Sequence, residues 1–166
     1  MKNFVFSLLL GLPLFLCNCA SAPKFNEGID GKFEVQDMNS ICGRTGSRDT
    51  GIQCLRVSAN HSNRDKAFGL AKKYAVAAVL LRGVSGQHSS TKNPLIALAD
   101  QERHARWIQG FFDQGEYLKY LDQAEIEPNE VYTIKGGVRV GINAKVNYQR
   151  LNQRLIEEGL VKINAF

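Results

Sequence analysis

A chain of 166 residues holds one domain, or one domain plus a tail. Its 44% hydrophobic content is that of an ordinary globular protein. At this size roughly two thirds of the unfolded surface is buried on folding, which excludes any need for a structural metal or a dense set of disulfides. The net charge of +5 is modest but uneven: segment 44–92 carries nine Lys or Arg against Asp49 and Asp65, and segment 113–130 carries six acids against Lys119. Such a balance suits an acidic partner, lipid headgroups or an anionic polysaccharide on one side of the domain, or a solvated surface whose charges mix once folded.

The N-terminus opens with Lys2 and then the apolar run 4–16, FVFSLLLGLPLFL. Thirteen residues are too few for a bilayer core of about 30 Å, which takes about 20 as a helix. The length suits the hydrophobic region of a secretory signal. Leu16-Cys17-Asn18-Cys19-Ala20-Ser21 follows at once and resembles the lipobox of bacterial lipoproteins. Cys19 fits with Leu16 three places before it. Asn18 departs from the commonest small residues at the preceding place, so cleavage at Cys17 stays open. The resemblance implies a signal peptide over 1–18, a diacylglycerol thioether on Cys19, a polar tether over 19–31 and a single domain over 32–166. Two or three acyl chains anchor a protein firmly, because each buried CH2 contributes about 0.8 kcal/mol. With Ala20 rather than Asp after the cysteine, the familiar sorting pattern gives an outer-membrane lipoprotein facing the periplasm.

The remaining cysteines, Cys42 and Cys54, bracket a short loop with little apolar content, CGRTGSRDTGIQC. In an oxidising compartment a disulfide between them is expected, contributing roughly 2–3 kcal/mol. The absence of a Cys-x-x-Cys pair speaks against zinc held by Cys42, Cys54 and His61.

Along the domain, 32–38 reads as a short edge strand and 52–60 as a stronger one. In the second, Leu55, Val57 and Ala59 share one face and Cys54, Arg56 and Ser58 the other, which places Cys54 away from the core. A helix starts at Ser62 or Asn63, with Asp65 in its first turn, and runs to Arg82 before Gly83. Its 75–81 stretch is apolar all round and should be deeply buried. Residues 84–93 read as a loop. Pro94 then opens a helix to Asp113, with Leu95, Leu98, Ala105, Ile108 and Phe112 as its core stripe. After a break at Gly115 comes a short helix over 116–123. Strands 131–135 and 138–148 form a hairpin turning on Gly136-Gly137, and a last helix over 149–158 stops at Gly159. The order predicts an α+β domain, a small antiparallel sheet with helices packed on one face.

No catalytic constellation stands out. His61 sits at a strand end beside a helix cap, where bonding to local backbone is the plain expectation. His88 lies among Ser85, Ser89 and Ser90, but no Gly-x-Ser-x-Gly elbow frames them. Glu125, Glu127 and Glu130 flank Pro128 in an apparent solvated loop. Trp107 and Phe111 project to a different side from the core stripe and, with His104, are the candidate partner contacts; the plainer alternative is that both rings are core. No cofactor, metal or nucleic acid is expected.

The strand ending Ala59-Asn60-His61-Ser62, the alanine-rich stretch KAFGLAKKYAVAAVLL and the late hairpin resemble small envelope lipoproteins of the flagellar-assembly T N-terminal and helicobacter 20-kDa lipoprotein type, over residues 52–148. The resemblance implies a non-catalytic interaction or assembly module with an envelope protein partner, and it carries over no functional residues. A periplasmic ligand-binding lipoprotein using the face near Trp107 is the alternative.

Overall fold

The computed structural model describes residues 28–29, 33–38, 51–84 and 93–161. Cys17, Cys19 and Cys42 lie outside the described residues, as do His88 and the serines around it. Four strands form one antiparallel sheet in the order β1-β2-β4-β3. They are β1 (Glu34–Asp37), β2 (Ile52–His61), β3 (Leu121–Ile134) and β4 (Gly137–Asn147). The helical elements are α1 (Arg64–Ala77), continued by a π-helical stretch Ala78–Arg82, then α2 (Leu98–Gln101), α3 (Ala105–Asp113), a 3-10 stretch Glu116–Tyr120 and α4 (Tyr148–Glu157). The domain is α+β, with its helices on one face of the sheet.

Strict alternation explains the two central strands. Leu55, Val57 and Ala59 of β2 and Val140, Ile142, Ala144 and Val146 of β4 are buried on the helix-facing side. A one-residue slip would turn each of them outward, so the register is well specified. The other side carries cross-strand polar contacts. Arg139 of β4 donates to Glu34 of β1 at 2.5 Å and to Ser58 of β2 at 2.7 Å. Arg56 donates to Asn143 at 3.2 Å, and Asn143 donates to Glu127 at 2.9 Å. Cys54 also sits on this side and outside the main core, but it is 2% exposed. It lies away from the core cluster, as the alternation of β2 predicts.

Helix α1 starts where the cap residue predicts. The Asn63 side chain accepts the Lys66 backbone N–H at 2.8 Å. Ala67, Ala71, Ala75 and Ala78 are buried, and their small side chains bring the helix close to β2 and β4. The all-apolar end is buried on every side through Leu80 and stops at Gly83, φ 77°.

The next stretch departs from expectation. Pro94 does not open a helix. The N–H groups of Leu95 and Ile96 instead cap the carbonyls of Val79 and Leu80 at 3.2 and 2.9 Å. The stretch 93–97 pairs with the end of the α1 extension, and two short helices follow in place of one long one. Ile96 is fully buried, Leu98 is 80% exposed and Ala105 is exposed, so the proposed stripe holds only from Ile108 onward.

Three further corrections concern the hairpin. The 116–123 helix ends at Tyr120, and Leu121–Gln123 already belong to β3. The acids 125, 127 and 130 lie within that strand rather than in a loop, around an irregularity between Ile126 and Val131 where Pro128 is tolerated at a sheet edge. The turn is Lys135-Gly136, because Gly137 pairs with Ile134. At the C-terminal end, α4 closes on Gly159, φ 69°. The Gly159 N–H bonds the Ile156 carbonyl and the Leu160 N–H the Leu155 carbonyl, both at 2.9 Å, a Schellman closure.

Candidate functional site

The proposed contact residues separate in space. Phe111 is 3% exposed, lies 5.2 Å from Phe112 and 5.7 Å from Tyr120 between ring centroids, and belongs to the core. That corrects its assignment as a contact residue. Trp107 stacks on it at 4.9 Å with 15° between the planes, half-buried at the rim. His104 is also half-buried, just before α3. Among the acids, Glu127 is tied to Asn143 and lies 3.9 Å from Arg56. No group of three or more His, Cys, Asp or Glu among the described residues is placed to hold a metal ion.

Three clefts are lined by described residues. A groove of about 790 Å³ runs beside α3, walled by Leu81, Ile108 and Phe112, with Lys73, Gln101 and Ile29 at its sides. A cleft of about 440 Å³ lies between Tyr120 and α4 and is lined by Arg150, Arg154 and Glu157. Its cations are matched by acids: Arg154 pairs with Glu158 at 2.6 Å and Arg150 lies 4.0 Å from Asp122. A third cleft, about 210 Å³, is lined by His61, Lys66, Gly69, Leu70, Lys73 and Tyr117. None of the three is lined by Trp107 or His104.

The third cleft has the most concentrated chemistry. His61 continues the core face of β2 beyond Ala59 and is 5% exposed. Its Nδ1 accepts the Ser62 N–H at 2.8 Å, which puts the proton of the neutral ring on Nε2. The local backbone bond is the one anticipated for a residue in this place. Lys66, Gly69, Leu70 and Lys73 follow the i, i+3, i+4, i+7 spacing of one α1 face. Tyr117 arrives from the 3-10 stretch, 8% exposed, and burial pushes its phenol above the ordinary value, so it stays a neutral donor. Two ammonium groups, an imidazole and a phenol thus converge, and no Asp or Glu is among the described lining residues.

Sequence reasoning named His61 and passed over the rest. A helical glycine with Lys three places before and four places after it was the available signal. Tyr117 had none, since only the chain reversal after α3 brings it to α1. No family model matches this chain, nor does any curated protein or solved structure.

Proposed function

We propose that this chain is a lipid-anchored protein of the bacterial cell envelope, held to the outer membrane through Cys19, with a non-catalytic domain that docks another envelope protein. The observation that carries the reading is the N-terminal pattern: Lys2, thirteen nearly all apolar residues and Leu16-Cys17-Asn18-Cys19. No described helix is long and apolar enough to cross a membrane. A cysteine-borne lipid gives such a domain an attachment independent of its own helices. A disulfide between Cys42 and Cys54 belongs to the same reading, because it requires an oxidising compartment.

The docking role is supported over ligand capture by the form of the aromatic rim: Trp107 is half-buried and lies flat on the core ring of Phe111 at 4.9 Å. Feeding cells radiolabelled palmitate tests the anchor. The full chain is expected to take up label and sediment with membranes. Cys19→Ala should abolish both, and Cys17→Ala should leave both intact. Unchanged labelling in Cys19→Ala removes Cys19 as the attachment point.

A further inference from the structure

We propose that the α2–α3 side of the helical layer rests on the membrane surface, with Leu98 as its apolar contact, and that the outer face of the sheet points away from the lipid. This rests on the reading of Cys19 as the lipid attachment and adds the orientation of the domain, which that reading leaves open.

The length of the tether and its point of entry limit how the domain can lie. Gly28 and Ile29 line the groove of about 790 Å³ together with Leu81 of the α1 extension and Gln101, Ala105 and Ile108 of the α2–α3 stretch. No described strand residue lines it, so the chain joins the domain at the helical layer. The entry is fastened at two points. Ile29 packs against the core, and Phe33 stacks on Tyr74 with the Arg82 guanidinium 4.0 Å from its ring centroid. Nine residue steps separate Cys19 from Gly28. Fully extended they reach about 30 Å; as a flexible chain they span about 15–18 Å. A helix layer on a sheet layer is about 20 Å thick. Turning the outer sheet face to the membrane makes the tether run past both layers almost straight, which costs chain entropy. Turning the helical layer to it asks for no such extension.

The surface beside the entry suits lipid. Leu98 is 80% exposed, the most exposed large hydrophobic side chain among the described residues, and Ala97 and Ala99 on either side of it are exposed too. Leu98 shares a helix side with Gln101 and Glu102, three and four places on, and both border the groove that Gly28 enters. The apolar tip and the root of the tether therefore lie on one side of the domain. Charge neither drives nor opposes this contact: segment 97–106 sets Arg103 and Arg106 against Asp100 and Glu102, with Arg103 paired to Asp100 at 2.9 Å. Trp107 stands about 200° around the helix from Ala105, so the aromatic rim stays clear for a protein partner. The outer sheet face is a poor match for lipid. Its Arg139–Glu34 pair and its Arg56, Asn143 and Glu127 contacts are polar groups that lose water against an apolar surface at a cost.

The test is amide NMR of the chain purified from its cell envelope and placed in nanodiscs of phosphatidylethanolamine and phosphatidylglycerol, a small share of the lipid carrying a gadolinium chelate on its headgroup. Mass spectrometry of the same sample reads the acyl groups on Cys19, so failure of the anchor and failure of the orientation are seen separately. With the anchor present, the amide signals of Leu98, Ala99 and Glu102 should lose most of their intensity, and those of Arg139, Asn143 and Lys145 should keep theirs. Leu98→Glu should weaken that contrast while acylation and attachment to the nanodisc stay as in the parent chain. The orientation is overturned if an acylated chain broadens evenly over both layers, or more strongly in β4 than in α2. It is overturned equally if Leu98→Glu keeps the parent pattern. A chain with no acyl group on Cys19 takes down the envelope reading and the orientation with it.

Discussion

Two glycines without positive φ show how local space decides the effect of one methyl group. Gly69, inside α1, faces open space. Alanine there removes backbone freedom from the unfolded chain and meets no obstacle, so Gly69→Ala should raise stability by about 0.5–1 kcal/mol. Gly141, in the middle of β4, is the opposite case. The β3 irregularity between Ile126 and Val131 lays Glu130 over it, and an added Cβ would run into the Glu130 Cβ with the Glu130 carbonyl 3.4 Å away. Backbone and a stem carbon cannot swing aside as a side-chain tip can. Gly141→Ala should therefore cost about 1–3 kcal/mol through overpacking. Urea denaturation of the two variants should shift the midpoints in opposite directions. A stabilised Gly141→Ala would mean that β3 does not cross β4 as described.

At the scale of elements, the end of the α1 extension and residues 95–101 are joined by several hydrogen bonds. The last carbonyls of the α1 extension are closed from outside: Leu95 and Ile96 N–H groups take Val79 and Leu80, and the Gln101 amide donates to Leu81 O at 2.6 Å and to Ile96 O at 3.1 Å. One side chain thus ties three segments together. Gln101→Leu keeps the bulk and removes the donor, leaving two part-buried carbonyls without it, and should cost about 1–3 kcal/mol. Hydrogen exchange at Leu95 and Ile96 should quicken more than exchange in β4. Uniform loss of protection would instead point to a global effect. This link also marks where the sequence could be read and where it could not. Asn63, Gly83 and Gly159 announced helix ends through chemistry local to a few residues, and the alternation of β4 announced its inner face. Pro94 misled because its fixed φ suits an irregular segment as well as a helix start, and the pairing of Leu95 and Ile96 with the α1 extension is a tertiary fact. β3 was hidden by Pro128 and three glutamates, residues typical of loops that an edge strand accepts once β4 is there to pair with. For the candidate cleft, Lys66 and Lys73 read as ordinary solvated helix charges. Their convergence with His61 and Tyr117 is a tertiary fact. Phe111 looked separable from Phe112, but ring packing against Tyr120 draws both into one core.

For the molecule as a whole, three tyrosines fasten the helical layer, two of them within it and Tyr74 to the residue before β1, and their protonation sets a limit on the alkaline side. Tyr74 of α1 stacks on Phe33 at 4.2 Å, Tyr117 packs on Phe112, and Tyr120 lies against Phe111. Burial is the first cause that raises each phenol above 10.0; Arg82 partly offsets it for Tyr74, and Arg154 for Tyr120. The folded chain therefore holds these protons more tightly than the unfolded chain does. The stability they contribute is complete below 10.0 and drains away as pH climbs past that value through the folded-state values. Denaturation midpoints should accordingly stay level for these groups up to about the unfolded phenol value and fall beyond it. Phenolate absorbance from the three rings should emerge above the ordinary range and together with loss of tertiary signal. Tyr117→Phe removes one proton from the linkage without removing the ring, so its midpoint should fall less steeply with pH than the parent chain's. An equal slope in the two proteins would show that the Tyr117 phenol is hydrated in the folded state.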